Sequence, residues 1–421
     1  MEEYAMTKDT TKHEESREGI SDALTEVLRN GATRLLLTAV QEELEFFLQG
    51  YASLRLLDGR AAVVRNGYLP SRTIQTGIGE IEIQVPKTRD RSGSGIKFNS
   101  TLLPPYLKKT KSVEELLPWL YLKGVSTGNF QEALSSIFGE NAPGLSANSI
   151  SRLKSKWIEE YRQWNRRDLC GKKYVYWWAD GIYSKVRLDD KLCLLVIIGA
   201  TEDGKKELVA VEDGFRESEL SWSEVLTDLQ SRGLQNGPAL AVGDGALGFW
   251  NALSKAYPQS RHQRCWFHKT KNVLDKLPDS MQEKVKRSLH EIWMAESRKA
   301  AEKAFNLTLS RYEAKYSRAM DCLKKDRDEL LAFYDFPAEH WQHIRTSNPI
   351  ESLFSGIRLR TSKTRNCGTR ETTLSMVFKL AQSAEKKWRR LRGYQTLPEV
   401  ISGIKFEDGI RVPGQTDRFA A

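Results

Sequence analysis

Cysteine is scarce in this chain: Cys170, Cys193, Cys265, Cys322 and Cys367 are scattered among 421 residues. An odd number without framework spacing excludes a disulfide scaffold and points to a reduced, cytosolic protein. Long apolar runs are missing as well, and no stretch reaches the roughly 18 residues that a membrane span needs. The N-terminus lacks a cationic and then apolar leader, being polar and acidic. The expectation is a cytoplasmic chain, neither secreted nor embedded in a membrane.

Charge is plentiful: 65 Lys and Arg against 55 Asp and Glu give a formal net charge of +10. Such a balance admits a polyanionic partner without requiring one, because many soluble proteins are equally basic. The length allows roughly two to four domains.

Residues 20 to 48 carry helical apolar spacing (Leu24, Val27, Leu28, then Leu35, Leu36, Val40, Leu44, Phe47) broken at Asn30 and Gly31, which predicts two short helices for packing or oligomerisation. Ile74, Thr76, Ile78 and then Ile81, Ile83, Val85 alternate around Gly77 and Gly79 and predict a hairpin, followed by a basic loop at 89–95. Three helices fit between Lys111 and Trp164, a helix-turn-helix layout. The third would present Asn148, Ser149, Arg152, Lys154 and Lys156, donor types suited to a major groove or to phosphates. A solvated face on a small helical subdomain would look the same.

Beyond Gly171 the texture turns to strands. YVYWWADGIYSKVRL, KLCLLVIIGAT and KKELVAVEDG predict an antiparallel meander with turns at LDDK and EDGKK. The helix SWSEVLTDLQSRG, the strand PALAVGDGA, the helix LGFWNALSKAYP and a strand at SRHQRCWFH follow. The order β-β-β-α-β-α-β is the one expected of a ribonuclease H-like core. Residues 270–340 hold helix formers and no strand signal, so an all-α insertion is expected to split that core. Two helices rich in Arg and Lys come next, and the tail from Leu397 has few structural signals.

Three carboxylates stand out. Asp180 ends the row Tyr174, Tyr176, Trp178 on one strand face, where an unpartnered carboxylate is costly; a turn aspartate before Gly181 is the plainer reading. Asp244 follows an apolar strand and precedes a helix, a place where ligands gather, though also a place for a helix cap. Glu351, after the cap Asn348 and Pro349, sits in a first helical turn, where compensation of the helix dipole is sufficient explanation for one acid. Taken together they suit two hard divalent ions held about 4 Å apart, the clamp used for phosphodiester cleavage. Asp189, Asp190, Glu212 and Asp213 fall in predicted turns and are expected at the surface.

Cys265 and His268 form a C-x-x-H pair near His262, and His340 and His343 an H-x-x-H pair, so a structural zinc joining them is conceivable. Without zinc, His268 would hydrogen-bond a phosphate, orient a carboxylate, or be a packed core histidine. Arg358, Arg360, Lys363, Arg365 and Arg370, with Lys386, Lys387, Arg389 and Arg390, are placed to neutralise phosphates or form a solvated basic face.

Long collinear strings carry a resemblance from about residue 20 to about 395: RNGYLPSRTIQTGIGEIEIQVPKTRDR, LLPPYLKKTKSVEELLPWLYLKGVSTGNFQEAL, GLSANSISRLKSKW, WADGIY, VGDGALGFW, RCWFHKTKNVLDKLP and TSNPIESLFSGIRLRT. The chain resembles the bacterial Mutator-type insertion-sequence transposases, a DDE family. The resemblance implies that Asp180, Asp244 and Glu351 are the catalytic, metal-binding triad. It makes Cys265 and His268 the family's C/D-x-x-H motif, here with cysteine, which adds no fourth carboxylate at that position.

The same resemblance implies a mixed α/β fold: a ribonuclease H-like, retroviral integrase-type core with an all-α insertion, preceded by a mostly helical DNA-binding region. Residues 1–18 are then a disordered N-terminus, 19–110 a DNA-binding or oligomerisation part, and 111–165 a helix-turn-helix-like part. Residues 171–269 begin the core, 270–340 are the insertion, 341–395 complete the core, and 396–421 form the tail. Mg2+ is implied, with Mn2+ as substitute. The implied partners are terminal inverted repeats and target DNA, bound by a homodimer or higher homo-oligomer in the cytoplasm at the nucleoid. A ribonuclease H-like nuclease without strand transfer and a domesticated DNA-binding descendant are the alternatives.

Overall fold

The computed structural model describes residues 23–122, 147–185, 191–363 and 369–413. They divide near residue 150 into two compact units.

The first unit begins with one helix, α1 (Ala23–Gly50), rather than two short ones. An interior glycine costs only about 1 kcal/mol relative to alanine. The helix formers after Gly31 outweigh that, as does the burial of Val40 and Leu44 against Ile74, Ile81, Ile83 and Val85. Arg29, beside the expected break, donates from Nε and Nη2 to the Ile78 carbonyl at 3.3 and 3.2 Å. The predicted hairpin is present as β2 (Arg72–Thr76) and β3 (Gly79–Ile83), with Ile74 opposite Ile81. Gly79 has a φ of +103°, a value that side-chain-bearing residues avoid. β1 (Val63–Tyr68) pairs antiparallel with β4 (Pro86–Asp90), so part of the expected basic loop is strand.

Of the three helices expected after Lys111, the first is α2 (Lys111–Leu122). The middle one lies outside the described residues. The third, α3 (Ala147–Asn165), belongs to the second unit for most of its length. Tyr161 and Trp164 pack on Phe378 with ring centroids 5.5 and 4.9 Å away, and the Tyr161 hydroxyl donates to the Val211 carbonyl at 2.9 Å.

The second unit holds a five-stranded mixed sheet in the order β7-β6-β5-β8-β9. β5 (Tyr174–Lys185), β6 (Lys191–Thr201) and β7 (Lys206–Gly214) form the expected antiparallel meander. The LDDK turn is outside the described residues. β8 (Leu240–Gly243) joins β5 in parallel, and β9 (Arg261–Arg264) joins β8 in parallel. The helices α4 (Glu219–Ser231) and α5 (Leu247–Ala256) cover one face through Trp222, Leu226, Phe249 and Trp250. A bulge between Tyr174 and Tyr176 puts Tyr174 on that face, so it does not share the side of Tyr176 and Trp178.

The other face is covered mainly by helices. α6 (Trp266–Leu274), α7 (Asp279–Trp293), α8 (Arg298–Tyr312) and α9 (Ser317–Lys324) precede α10 (Asn348–Lys363) and α11 (Arg370–Glu385). Leu289, Phe305, Met320 and Phe333 are fully buried in the same core as Tyr176 and Trp178, so the segment 270–340 forms part of the second unit's core. The tail is also more structured than its sequence suggests. Leu397, Val400 and Phe406 enter that core, and a short hairpin (Phe406–Glu407 with Ile410–Arg411) follows. Glu212 and Asp213 lie within β7 rather than in a turn; Glu212 accepts from Tyr161 at 3.2 Å and Asp213 pairs with Arg370 at 2.7 Å. Among the described residues, no helix is long and apolar enough to cross a membrane.

Candidate metal centre

Strand register builds the centre. Ala179 of β5 pairs in parallel with Gly243 of β8, and the next residue on each strand is an aspartate. Neighbouring strands lie about 4.8 Å apart, so Asp180 and Asp244 stand side by side at the carboxyl end of β8. Asp180 Oδ1 accepts from the Gly181 amide at 2.8 Å. Asp244 Oδ1 accepts from the Ala246 amide at 2.8 Å, and its carbonyl accepts from Trp250 Nε1 at 2.8 Å. Its turn-forming role and its place in the cluster therefore coexist.

The third parallel strand supplies the next piece. β9 ends level with Gly243, and the Cys265 amide donates to the Gly243 carbonyl at 2.7 Å. α6 begins there and carries His268 in its first turn. Cys265, 1% exposed, accepts at Sγ from both the Ser347 amide and its hydroxyl, each at 3.2 Å. Ser347 immediately precedes α10, so this thiol fastens the C-x-x-H turn to the helix of Glu351. His268 Nε2 lies 3.0 Å from Glu351 Oε1, and its Nδ1 lies 3.4 Å from Ser347 Oγ. The second oxygen of Glu351 is 3.6 Å from the Arg358 guanidinium.

Two overlapping groups of ligand atoms result, each within 4.8 Å of one another: Asp180 with His268 and Glu351, and Asp180 with Glu217 and Asp244. Asp180 is common to both. Glu217 escaped the sequence reading. It stands just before Ser218, the N-cap of α4, whose side chain accepts from the Ser221 amide. Glu212, Asp213, Glu217 and Glu219 crowd this stretch, and no local pattern separates one from the rest.

Burial and the neighbouring Asp244 push the Asp180 carboxyl up to about 7, and the same two causes push Glu217 up to about 7. For His268 burial works downward but is outweighed by Cys265 and by the charges of Asp180 and Glu351, which take it up to about 9. No ion pair among the described residues satisfies Asp180, Glu217 or Asp244. A withdrawn set of oxygen donors that repel one another, with one imidazole at its edge, matches the donor chemistry of a hard divalent cation.

The remaining expected residues are not gathered in one place. Arg152 and Lys156 are exposed, Lys154 is half-buried, and Lys156 faces Glu160 at 3.8 Å. Asn148 and Ser149 lie on α3, with side chains outside the described ones, as is that of Lys363 at the end of α10. Arg365 lies outside the described residues altogether. Arg358 is 59% exposed at the rim, whereas Arg360 is 1% exposed and inside the protein. Two residues, about half a helical turn, separate solvent from core here, a distinction that charge counting misses.

The two histidine-bearing pairs do not meet in a zinc site. His340 is buried and uses Nδ1 on the Tyr176 hydroxyl at 2.7 Å and Nε2 on the Gly393 carbonyl at 2.8 Å. His343 Nε2 accepts from the Arg392 amide at 3.1 Å, and burial pushes that imidazole down to about 4.

Comparison with known proteins adds a second kind of observation. A family model described as Transposase, Mutator family, matches residues 1–391. The chain is 52% identical over 287 residues to the transposase for insertion sequence element IST2 of Acidithiobacillus ferrooxidans, covering 66% of this chain and 95% of that protein. It is 45% identical over 306 residues to the transposase for insertion sequence element IS6120 of Mycolicibacterium smegmatis, covering 72% and 94%. A more distant match, at 28% over 379 residues, is the transposase for insertion sequence element ISRM5 of Rhizobium meliloti, covering 88% and 92%.

Proposed function

We propose, from the premise that the chain belongs to the Mutator family of transposases, that it is an insertion-sequence transposase working by a DDE mechanism. In this reading it binds the terminal inverted repeats of its element, cleaves the ends, and joins the freed 3′-hydroxyl to target DNA. The observation that carries the mechanism is the pair of ligand groups sharing Asp180. Asp180, with Asp244 on one side and Glu351 on the other, would hold the metal. A pair of divalent ions held there, Mg2+ or Mn2+ in its place, would supply the Lewis acidity that an in-line displacement without a covalent protein intermediate requires.

The chain's own residues prepare that reaction. His268 holds one oxygen of Glu351, so the carboxylate presents a fixed edge to the centre. Cys265 and Ser347 hold His268 and α10 in common register. Arg358, beside Glu351 and largely exposed, is available to a phosphate entering the site. The antiparallel meander followed by two parallel strands supports a ribonuclease H-like core. The region before about residue 165 is assigned to recognition of the ends, and assembly on DNA to a homodimer or higher homo-oligomer.

Full-length protein, end oligonucleotides, Mg2+ and supercoiled plasmid test the reading together. Wild type nicks the ends and joins them to the plasmid. Asp180→Asn, Asp244→Asn and Glu351→Gln keep end binding in a gel-shift assay and lose both reactions. Nicking without joining would favour a nuclease instead, and near-normal nicking by a variant would remove that residue from the triad.

A further inference from the structure

We infer that Glu217 is a fourth carboxylate of the metal centre, completing with Asp244 the half of the site opposite His268 and Glu351. The inference rests on the metal-dependent reading above and deepens it. With three acids alone, the half containing Asp244 has only Asp180 beside it, while the other half has Asp180, Glu351 and an imidazole. Glu217 evens that division, bringing an oxygen within 4.8 Å of both aspartates.

Its position is built rather than incidental. An acid just before a helix N-cap ordinarily points to solvent and offsets the helix dipole. Glu217 instead turns inward over Gly181, where a Cβ would lie 2.4 Å from its Cγ, Cδ and Oε1. Only the missing side chain next to Asp180 lets the carboxylate come so close. Behind it, α5 seats the backbone: a Cβ on Gly248 would lie 2.6 Å from the Glu217 carbonyl oxygen. The Glu217 amide donates to the Tyr183 hydroxyl at 3.4 Å, and Ser218 caps α4. No ion pair to Glu217 exists among the described residues, whereas the neighbouring Glu219 bonds to Lys255 and Asn251 on the surface. A bound cation is the partner this geometry leaves room for.

The test is Mn2+ titration of the full-length chain, with free Mn2+ read by electron paramagnetic resonance, alongside end nicking in Mg2+. Glu217→Gln is expected to weaken Mn2+ binding tenfold or more and to lower nicking, while Glu219→Gln leaves the isotherm as in wild type. Gly181→Ala, which displaces the Glu217 side chain but keeps every acid, is expected to weaken Mn2+ binding in the same direction, and it serves if Glu217→Gln does not fold. If Asp180→Asn loses Mn2+ while Glu217→Gln and Gly181→Ala bind it like wild type, the role of Glu217 is overturned and the metal-dependent reading stands. If wild type binds no Mn2+, both fall.

Discussion

Asp180→Asn should stabilise the metal-free protein at neutral and alkaline pH while abolishing its chemistry. The Asp180 carboxyl is raised from 3.8 to about 7, first by burial and then by Asp244. A carboxyl whose folded value lies above its unfolded value contributes fully below pH 4, and that contribution is lost as pH rises through about 7. Roughly three pH units at about 1.4 kcal/mol each set an upper bound of about 4 kcal/mol on the cost of ionised Asp180 at pH 8. Coupling to Glu217, which is raised by the same causes, reduces what one substitution recovers, so about 2 kcal/mol is the expected gain.

The assay is urea unfolding in chelator, followed by tryptophan fluorescence, since Trp177 and Trp178 lie fully buried in the strand that carries this carboxylate. The variant should be the more stable protein at pH 8, with the gap closing towards pH 4. Saturating Mn2+ should reverse the order, because ligand at about 100 times its Kd adds about 2.7 kcal/mol to whichever protein binds it. A variant less stable than wild type at pH 8 in chelator, or a gap that does not change with pH, would refute the account of a repelling, metal-seeking cluster.

His268→Ala should leave end binding intact and cut nicking by about 10- to 100-fold, because it frees the Glu351 oxygen now 3.0 Å away; single-turnover nicking measures this. Arg358→Ala should lower the slope of log affinity against log salt by about 1 for an end duplex. Arg360→Ala, at a buried position, should leave that slope unchanged and lower the melting temperature instead. Removing residues 396–421 deletes the buried Leu397, Val400 and Phe406, a loss of about 4.5–9 kcal/mol at about 1.5–3 kcal/mol per buried side chain, and should leave the second unit unfolded in thermal melts.

The strands and their order along the chain were legible because they announce themselves: three β-branched and aromatic runs with turn residues between them, then two short runs separated by an amphipathic helix. Elements that depend on partners far along the chain were not. A break at Asn30 and Gly31 vanishes once Arg29 and Val40 find the hairpin residues. A weakly patterned tail becomes ordered because Gly409 and Ala338 meet, the Ala338 amide donating to the Gly409 carbonyl at 3.2 Å. The bulge that turns Tyr174 to the other face is likewise invisible to period-two counting.

The candidate site divides along the same line. Asp180 and Asp244 could be found because each directly follows an apolar strand run, and Glu351 because a cap and proline mark its helix. Glu217 could not, since its distinguishing feature lies on another strand, in the absence of a side chain at Gly181. The same physical fact explains both the inclusion of Arg360 among the phosphate contacts and the omission of Glu217 from the site acids: charge in a sequence names a group but not its surroundings. Burial turns Arg360 from a candidate phosphate contact into part of the protein interior. Enclosure beside two aspartates turns Glu217 from one surface acid among four into a group whose ionised form needs a cation.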